Sequence, residues 1–272
     1  MQNFPTSPRD MAGSLWWNRS LIRLLIIREV AGRYRGSVLG ILWSFFNPVF
    51  MLAIYTFVFS VVFKARWGGA DESRTKFAMI LFAGLLVFNV FAECVGRAPS
   101  LILGNCNYVK KVIFPLEILP WVILGTALFH FFVSFGVWVL FYFWIFGIPP
   151  LTVFLFPLIL IPLIMFVMGL SWFLAALGVF LRDVTQIVGI IITVFMFLTP
   201  IFYPLSAIPE AYRKWLYCNP LTFLVEQARG VLIFGVGMDW AGFSLLSGMA
   251  FGLAWFGFAW FQKTRKGFAD VL

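Results

Sequence analysis

The chain has 272 residues, 62% of them hydrophobic and 11% charged, with a mean hydropathy of +0.97. Folding alone could not keep that much apolar surface from water, so a soluble globular protein is excluded and the composition is that of a polytopic membrane protein. The net charge of +9 does not indicate nucleic acid, because no basic soluble domain or binding motif carries it, and basic residues in such a chain mark cytoplasmic loops.

Residues 1–37 read as a cytoplasmic N-terminus with an amphipathic helix lying in the membrane interface. Trp17, Leu21, Leu24 and Leu25 share one helical face and Arg19 and Arg23 lie opposite, with Ile22 and Ile26 blurring the stripe. The apolar run at 24–27 is short, sits between arginines and lacks a small-residue cleavage pattern, so no cleavable signal is expected. Residues 38–63 then carry no charge over 26 positions. As a helix they reach about 39 Å, enough to cross a hydrocarbon core of roughly 30 Å.

Residues 64–76, with Gly68, Gly69, Asp71 and Glu72, predict an exposed loop. A second span is expected at 77–96. The polar connection 97–117 is too hydrophilic to lie in lipid. A third span follows at 118–146, and Gly147, Pro149 and Pro150 turn the chain into a fourth at 151–181. That run is too long for an upright helix, so a kink at Pro157 or Pro162, or an end projecting past the membrane, is expected. Arg182 and Asp183 precede a fifth span at 184–204, disturbed at its far end by Pro200 and Pro204. Residues 205–237 mix prolines and charges with apolar side chains and predict a pair of short helices dipping into the outer leaflet. The last span is 240–261, before a tail at 262–272. The fold class is all-α, with six transmembrane helices.

Six crossings put both termini on one side. That side carries 13 lysines and arginines and the other 7, so both termini are expected to be cytoplasmic.

In the first span Ser37, Gly40, Ser44, Asn47, Met51 and Tyr55 recur at helical steps, and the fifth repeats the pattern with Gln186, Gly189, Thr193, Met196, Pro200 and Tyr203. A polar face in hydrocarbon must meet another helix or water. Either the two stripes pack helices together or they line a conduit, whose tyrosines would offer flat surfaces to a sliding polymer. His130 has no Asp, Glu or Cys at ligand spacing and reads as a packed or interhelically bonded imidazole. Glu93 and Glu226 are candidate proton carriers, but Arg97 and Arg229 follow them by four and three positions, and local pairing accounts for both. Cys94, Cys106 and Cys218 are too scattered for a zinc site and read as packing residues, so no metal is expected. No G-x-x-x-x-G-K-[ST] loop, G-x-S-x-G elbow or H-E-x-x-H helix occurs, so nucleotide hydrolysis would belong to a partner, for which 97–117 is the natural contact.

Five dispersed motifs carry a resemblance. Arg33-Tyr-Arg-Gly-Ser-Val-Leu-Gly-Ile-Leu-Trp-Ser-Phe-Phe-Asn-Pro48, Val109-Lys-Lys-Val-Ile-Phe-Pro-Leu-Glu-Ile-Leu-Pro120, Leu181-Arg-Asp-Val184, Thr199-Pro-Ile-Phe-Tyr-Pro204 and Asn219-Pro-Leu-Thr222 resemble the permease subunits of bacterial polysaccharide ABC exporters of the type-2 class. The resemblance implies a homodimer of six-span subunits in the bacterial inner membrane, joined to two copies of a separate ATPase that holds the ATP and Mg. It implies export of lipid-linked O-antigen, capsule or teichoic-acid chains. By the same likeness, Ser44, Asn47, Met51, Tyr55, Gln186, Thr193, Met196 and Tyr203 line the conduit, and Arg97, Asn105, Asn107, Tyr108, Lys110 and Lys111 belong to the coupling region. Pro204, Pro209 and Glu210 begin the outer gate. Arg33 and Arg35 stand where a lipid-diphosphate headgroup could approach, although the inside-positive bias also accounts for them.

Two other readings stay open on the residues alone. One is an export permease for small lipophilic compounds. The other is an integral-membrane enzyme acting on lipid-linked sugars, for which Glu93, Glu117 or Glu226 would be the base.

Overall fold

Helix is the only regular secondary structure among the described residues, as expected for an all-α membrane protein. The structure is a computed structural model that describes residues 5–58, 74–109 and 114–272. Residues 59–63 of the expected first span, the loop residues Lys64 and Arg66, and Lys110 and Lys111, expected in the coupling region, lie outside the described residues.

Two helices make up the N-terminal segment. Ser7 and Asp10 form a reciprocal capping box that starts α1 (Pro8–Trp17), and Asn18 separates it from α2 (Arg19–Tyr34). The face α2 packs differs from the stripe expected. Ile22 and Leu25 are buried against Ile118 and Val122, while Trp16, Trp17 and Leu24 stay exposed. Gly125 on the facing helix explains part of the choice, since a Cβ there would stand 2.1 Å from Ile26 Cδ1. A larger residue at 125 would have to displace the Ile26 side chain.

Gly36 and Gly40 both take positive φ, 83° and 51°, in the link to α3 (Trp43–Tyr55), which a 3₁₀ turn at Gly40–Leu42 precedes. These are conformations that residues with a Cβ rarely hold, so the link turns sharply. The next helix, α4 (Arg74–Arg97), is the hub. Its apolar stretch is 83% buried inside the protein, against 6% for the helix that includes α3. A helix apolar all round belongs in the centre of a bundle, while α3 stands at the edge.

A four-residue helix, α5 (Cys106–Val109), lies in the polar connection, followed by α6 (Leu119–Phe146) and α7 (Phe156–Phe180). The long fourth run is resolved by a 3₁₀ turn at Leu151–Leu155, with Pro157 in the first turn of α7, where its missing N–H costs nothing, and Pro162 inside the helix. The helix α8 (Val184–Leu198) has 15 residues, about 22 Å, and stops short of the expected 184–204. Thr199 precedes Pro200, which drives it out of the helical region to ψ 134°. The chain then forms the expected pair of short helices, α9 (Glu210–Tyr217) and α10 (Pro220–Arg229).

The last long helix, α11 (Trp240–Thr264), runs against α7 with almost no side chain between them, since a Cβ on Gly257 would lie 2.1 Å from Gly169 O. Close backbone approach at small residues is how helices associate where no water drives them together. A short α12 (Phe268–Val271) follows. Arg265 ties this end to the start of α6, bonding Glu117 Oε2 at 2.5 Å and Phe114 O at 2.9 Å. Among the described residues five helices are long and apolar enough to cross a membrane, and α8 is a shorter sixth.

Candidate functional site

A cavity of about 560 Å³ lies behind α3, between it and the hub pair α4 and α6. Ser44, Asn47, Met51 and Tyr55 of the first stripe all line it. The steps of three and four that group them in the sequence therefore describe one wall of a real space. The opposite wall was not anticipated. Asn89 and Glu93 of α4 and His130 and Ser134 of α6 supply it, each pair four residues apart and so on one helical face. That spacing was the available signal, hidden because each residue stands alone among apolar neighbours.

The base of the cavity is closed by an ionic cluster. Arg33 Nη1 stands 2.9 Å from Glu93 Oε1, and the other carboxylate oxygen lies 2.9 Å from His130 Nδ1. The Tyr34 hydroxyl and Arg33 Nη1 approach His130 Nε2 at 3.1 and 3.3 Å. Burial raises the Tyr34 phenol above its ordinary range, with Arg33 opposing, so it remains a donor. Arg33 Nη1 is also 3.2 Å from Nδ1 and so favours neither nitrogen, but Glu93 Oε2 can only accept, so Nδ1 donates to it and Nε2 accepts from the Tyr34 hydroxyl. His130 is thus the interhelically bonded imidazole that its isolation predicted.

Arg97 makes the local ion pair expected of its spacing and adds a nearer partner. Its nearest partner is Glu29 of α2, which it bonds through Nη2, and Glu93 Oε1 lies 3.6 Å from Nη1. Six residues from α2, α4 and α6 thereby form one network: Glu29, Arg33, Tyr34, Glu93, Arg97 and His130. Arg35 is exposed and terminates α2.

A second cavity of about 250 Å³ joins α2 to the polar connection, lined by Arg28, Glu29, Arg97, Asn105 and Tyr108 among others. Arg28 Nη2 donates to the Tyr108 hydroxyl at 2.6 Å, and the Tyr108 ring stacks on Phe114 with centroids 4.2 Å apart. Asn105 turns its amide back to Leu101 O at 2.9 Å, and Asn107 is exposed.

The residues expected to line a conduit from α8 do not border the first cavity. Gln186 and Thr193 are exposed, with the Thr193 hydroxyl donating to Gly189 O at 3.0 Å, and Met196 is half-buried. The Tyr203 hydroxyl donates to Phe197 O at 2.7 Å. At the end of the first stripe Tyr55 meets Phe202, the neighbour of Tyr203, with ring centroids 6.0 Å apart. Pro204 precedes a 3₁₀ turn at Leu205–Ala207 and Pro209 caps α9, whose exposed Glu210 lies 3.9 Å from Arg213.

The spacing predicts Arg229 as the local partner of Glu226. It is that, at 2.7 Å, but the guanidinium is also fully buried and bonds the carbonyls of Ile80, Pro200 and Ile201. No metal-ligating group of three or more His, Cys, Asp or Glu side chains occurs among the described residues.

Comparison with known proteins adds to this geometry. The profile of the family described as ABC-2 type transporter matches residues 20–233. The chain is 31% identical over 270 residues to the O-antigen export system permease protein RfbA of Myxococcus xanthus, covering 95% of this chain and 97% of that protein. An O-antigen export system permease protein RfbA of Klebsiella pneumoniae is 28% identical over 257 residues, or 93% and 96% of the two chains. The polysialic acid transport protein KpsM of Escherichia coli is 25% identical over 246 residues, or 86% and 91%.

Proposed function

The chain belongs to the ABC-2 type transporter family, and from that premise we propose that it is the permease subunit of an ATP-driven exporter that moves a lipid-linked, O-antigen-like polysaccharide across the bacterial inner membrane. The observation that carries this reading is the end-to-end correspondence with a permease named for O-antigen export, which leaves no large part of either chain unmatched. The working unit in this proposal is a homodimer bound to two copies of a separate ATPase, which holds the ATP and Mg. Both termini face the cytoplasm, on the strength of the basic residues.

The route for force runs through α2. Tyr108, in the segment 97–117 that would meet the ATPase, is gripped by Arg28. Five residues along the same helix Arg33 holds Glu93 at the base of the cavity. Beyond Arg33 the chain turns at Gly36 and Gly40 into α3, the least enclosed long helix. A push on the coupling segment as the ATPases close would swing α2 and, through that glycine link, move α3. Rigid helices joined by a few residues able to change φ and ψ are the usual parts of such a transition.

The polymer would pass between the α3 face carrying Ser44, Asn47, Met51 and Tyr55 and the α8 face carrying Gln186, Thr193, Met196 and Tyr203. The half-buried polar groups behind α3 give it a hydrated space to move in. Asn105, Asn107, Lys110 and Lys111 complete the coupling surface, and Pro204, Pro209 and Glu210 begin the gate. Arg33 and Arg35 would receive the diphosphate headgroup, Arg33 exchanging the Glu93 carboxylate for phosphate.

Deleting the chain from its host tests the substrate. Accumulation of lipid-linked glycan on the cytoplasmic side, with loss of the surface polymer, is the expected result. Normal surface glycan with new sensitivity to lipophilic drugs would replace the glycan with small compounds.

A further inference from the structure

The non-helical stretch after α8 poses a backbone problem that Arg229 solves. Thr199 and Pro200 end the helix early, so the carbonyls of Pro200 and Ile201 have no helical N–H to accept from. Backbone of that kind is tolerated at membrane depth where protein covers and satisfies it. Thr199, Pro200 and Ile201 are all buried. Arg229, on α10, donates from Nη1 to Pro200 O at 2.5 Å and from Nη2 to Ile201 O at 2.7 Å, and from Nε to Ile80 O of α4 at 3.2 Å. Glu226 Oε1, 2.7 Å from Nη1, compensates the charge.

Two further features fit this one guanidinium. Gly84 gives it room on α4, for a Cβ there would lie 3.0 Å from Arg229 Nη2. At the other end of α10 the Asn219 amide donates to Thr199 Oγ1 at 2.9 Å and its Oδ1 accepts from Leu221 N at 3.0 Å. Both ends of α10 therefore grip the same three-residue turn.

We infer that Arg229 is a positioning residue that binds the outer end of α8, the start of the hub α4 and the gate helix α10 into one rigid body, so that the outlet opens by displacement of α3 past this body. The outlet itself rests on the export reading. The rigid body does not, because it is a property of the fold. A planar fork is required: it reaches three carbonyls on two elements and a carboxylate, where a lysine ammonium has three donors radiating from one point.

The test uses the full chain with Cys106 and Cys218 replaced by serine and nitroxide labels at Thr75 and Ser206, exposed positions at the start of α4 and after the turn. With the label pair diluted so that one subunit of a dimer carries it, pulsed dipolar spectroscopy should give one narrow distance in the parent and a distribution at least twice as wide in Arg229→Met, with Arg229→Lys between them. Where Arg229→Met fails to insert, Gly84→Ala, whose methyl would crowd Arg229 Nη2 at 3.0 Å and Val225 Cγ1 of the same helix at 3.2 Å, should broaden the same distance. An unchanged width in whichever of these variants inserts would overturn the assignment. In proteoliposomes of the full complex without ATP, the broadened variant should also pass a small anionic dye at least fivefold faster than the parent. A broad distance with no dye leak would instead keep the rigid body and count against the outlet.

Discussion

The hydroxyl of Tyr108 accepts a 2.6 Å hydrogen bond from Arg28, joining α2 to a segment 80 residues away. The same tyrosine stacks on Phe114. Tyr108→Phe removes the bond and keeps the stack, so it separates coupling from packing. An exposed bond of this kind is worth about 1 kcal/mol, or roughly a fivefold change in an equilibrium. In the full complex, Tyr108→Phe and Arg28→Ala should each lower glycan exported per ATP hydrolysed while ATP turnover stays near that of the parent. The double variant should be no worse than the poorer single one. Additive losses would show that the two residues act separately.

Glu93 receives Arg33, Arg97 and His130 within one carboxylate, with 19% of its side chain exposed. Glu93→Gln leaves the two arginines facing each other around a neutral amide. Removing one partner from a buried cluster costs about 3–5 kcal/mol, and partial exposure here reduces that to about 1–3. Thermal unfolding in detergent should show a clear fall in Tm for Glu93→Gln. His130→Gln should cost less, because an amide can still donate to Glu93 and accept from Tyr34. Equal losses would mean the cluster is held by the imidazole.

Hydropathy made the spans legible, because the length of an apolar run is set by the bilayer and little else. The face of α3 was equally legible, since Ser44, Asn47, Met51 and Tyr55 obey a local period. What faces them was not. The partner of Arg97 depends on where α2 lies against α4, and Glu29 wins over the residue four positions earlier because tertiary packing brings it nearer. The same holds for α2, whose packed face is decided by the gap at Gly125, on a helix 100 residues further along. The length of α8 was misjudged on one local rule, the bar that Pro200 places on a helical Thr199. Of Arg229 the sequence showed only the near partner, since carbonyl acceptors leave no mark in side-chain patterns.

The contact between α7 and α11 has no slack. A methyl on Gly257 would fall 2.1 Å from Gly169 O and force the helices apart, whereas a methyl on Gly252 meets nothing within 4 Å. Overpacking of this kind costs about 1–3 kcal/mol. Gly257→Ala should therefore lower the unfolding temperature and the yield of inserted protein. Gly252→Ala should leave both unchanged or raise them slightly, since alanine favours helix.

Water access decides whether the two stripes are a passage or a seam. Ser44 and Asn47 border a cavity whose walls carry two asparagine amides and an ionic base, so a cysteine at either should react with a water-soluble thiol reagent in every state of the complex. Leu52, packed into the core beside the cavity without lining it and 6% exposed, is the control and should stay unlabelled. Cysteines at Thr193 and Tyr203 test the opposite wall. Thr193 is exposed and Tyr203 is turned back onto Phe197, so Thr193→Cys should label according to what a second copy covers, and Tyr203→Cys only when α3 moves away. Addition of ATP to the complex should raise labelling at both severalfold and leave Ser44→Cys unchanged. If Thr193→Cys and Tyr203→Cys stay silent with and without nucleotide while Ser44→Cys reacts, the wet space behind α3 exists but belongs to each subunit alone, and the polymer has no path between α3 and α8.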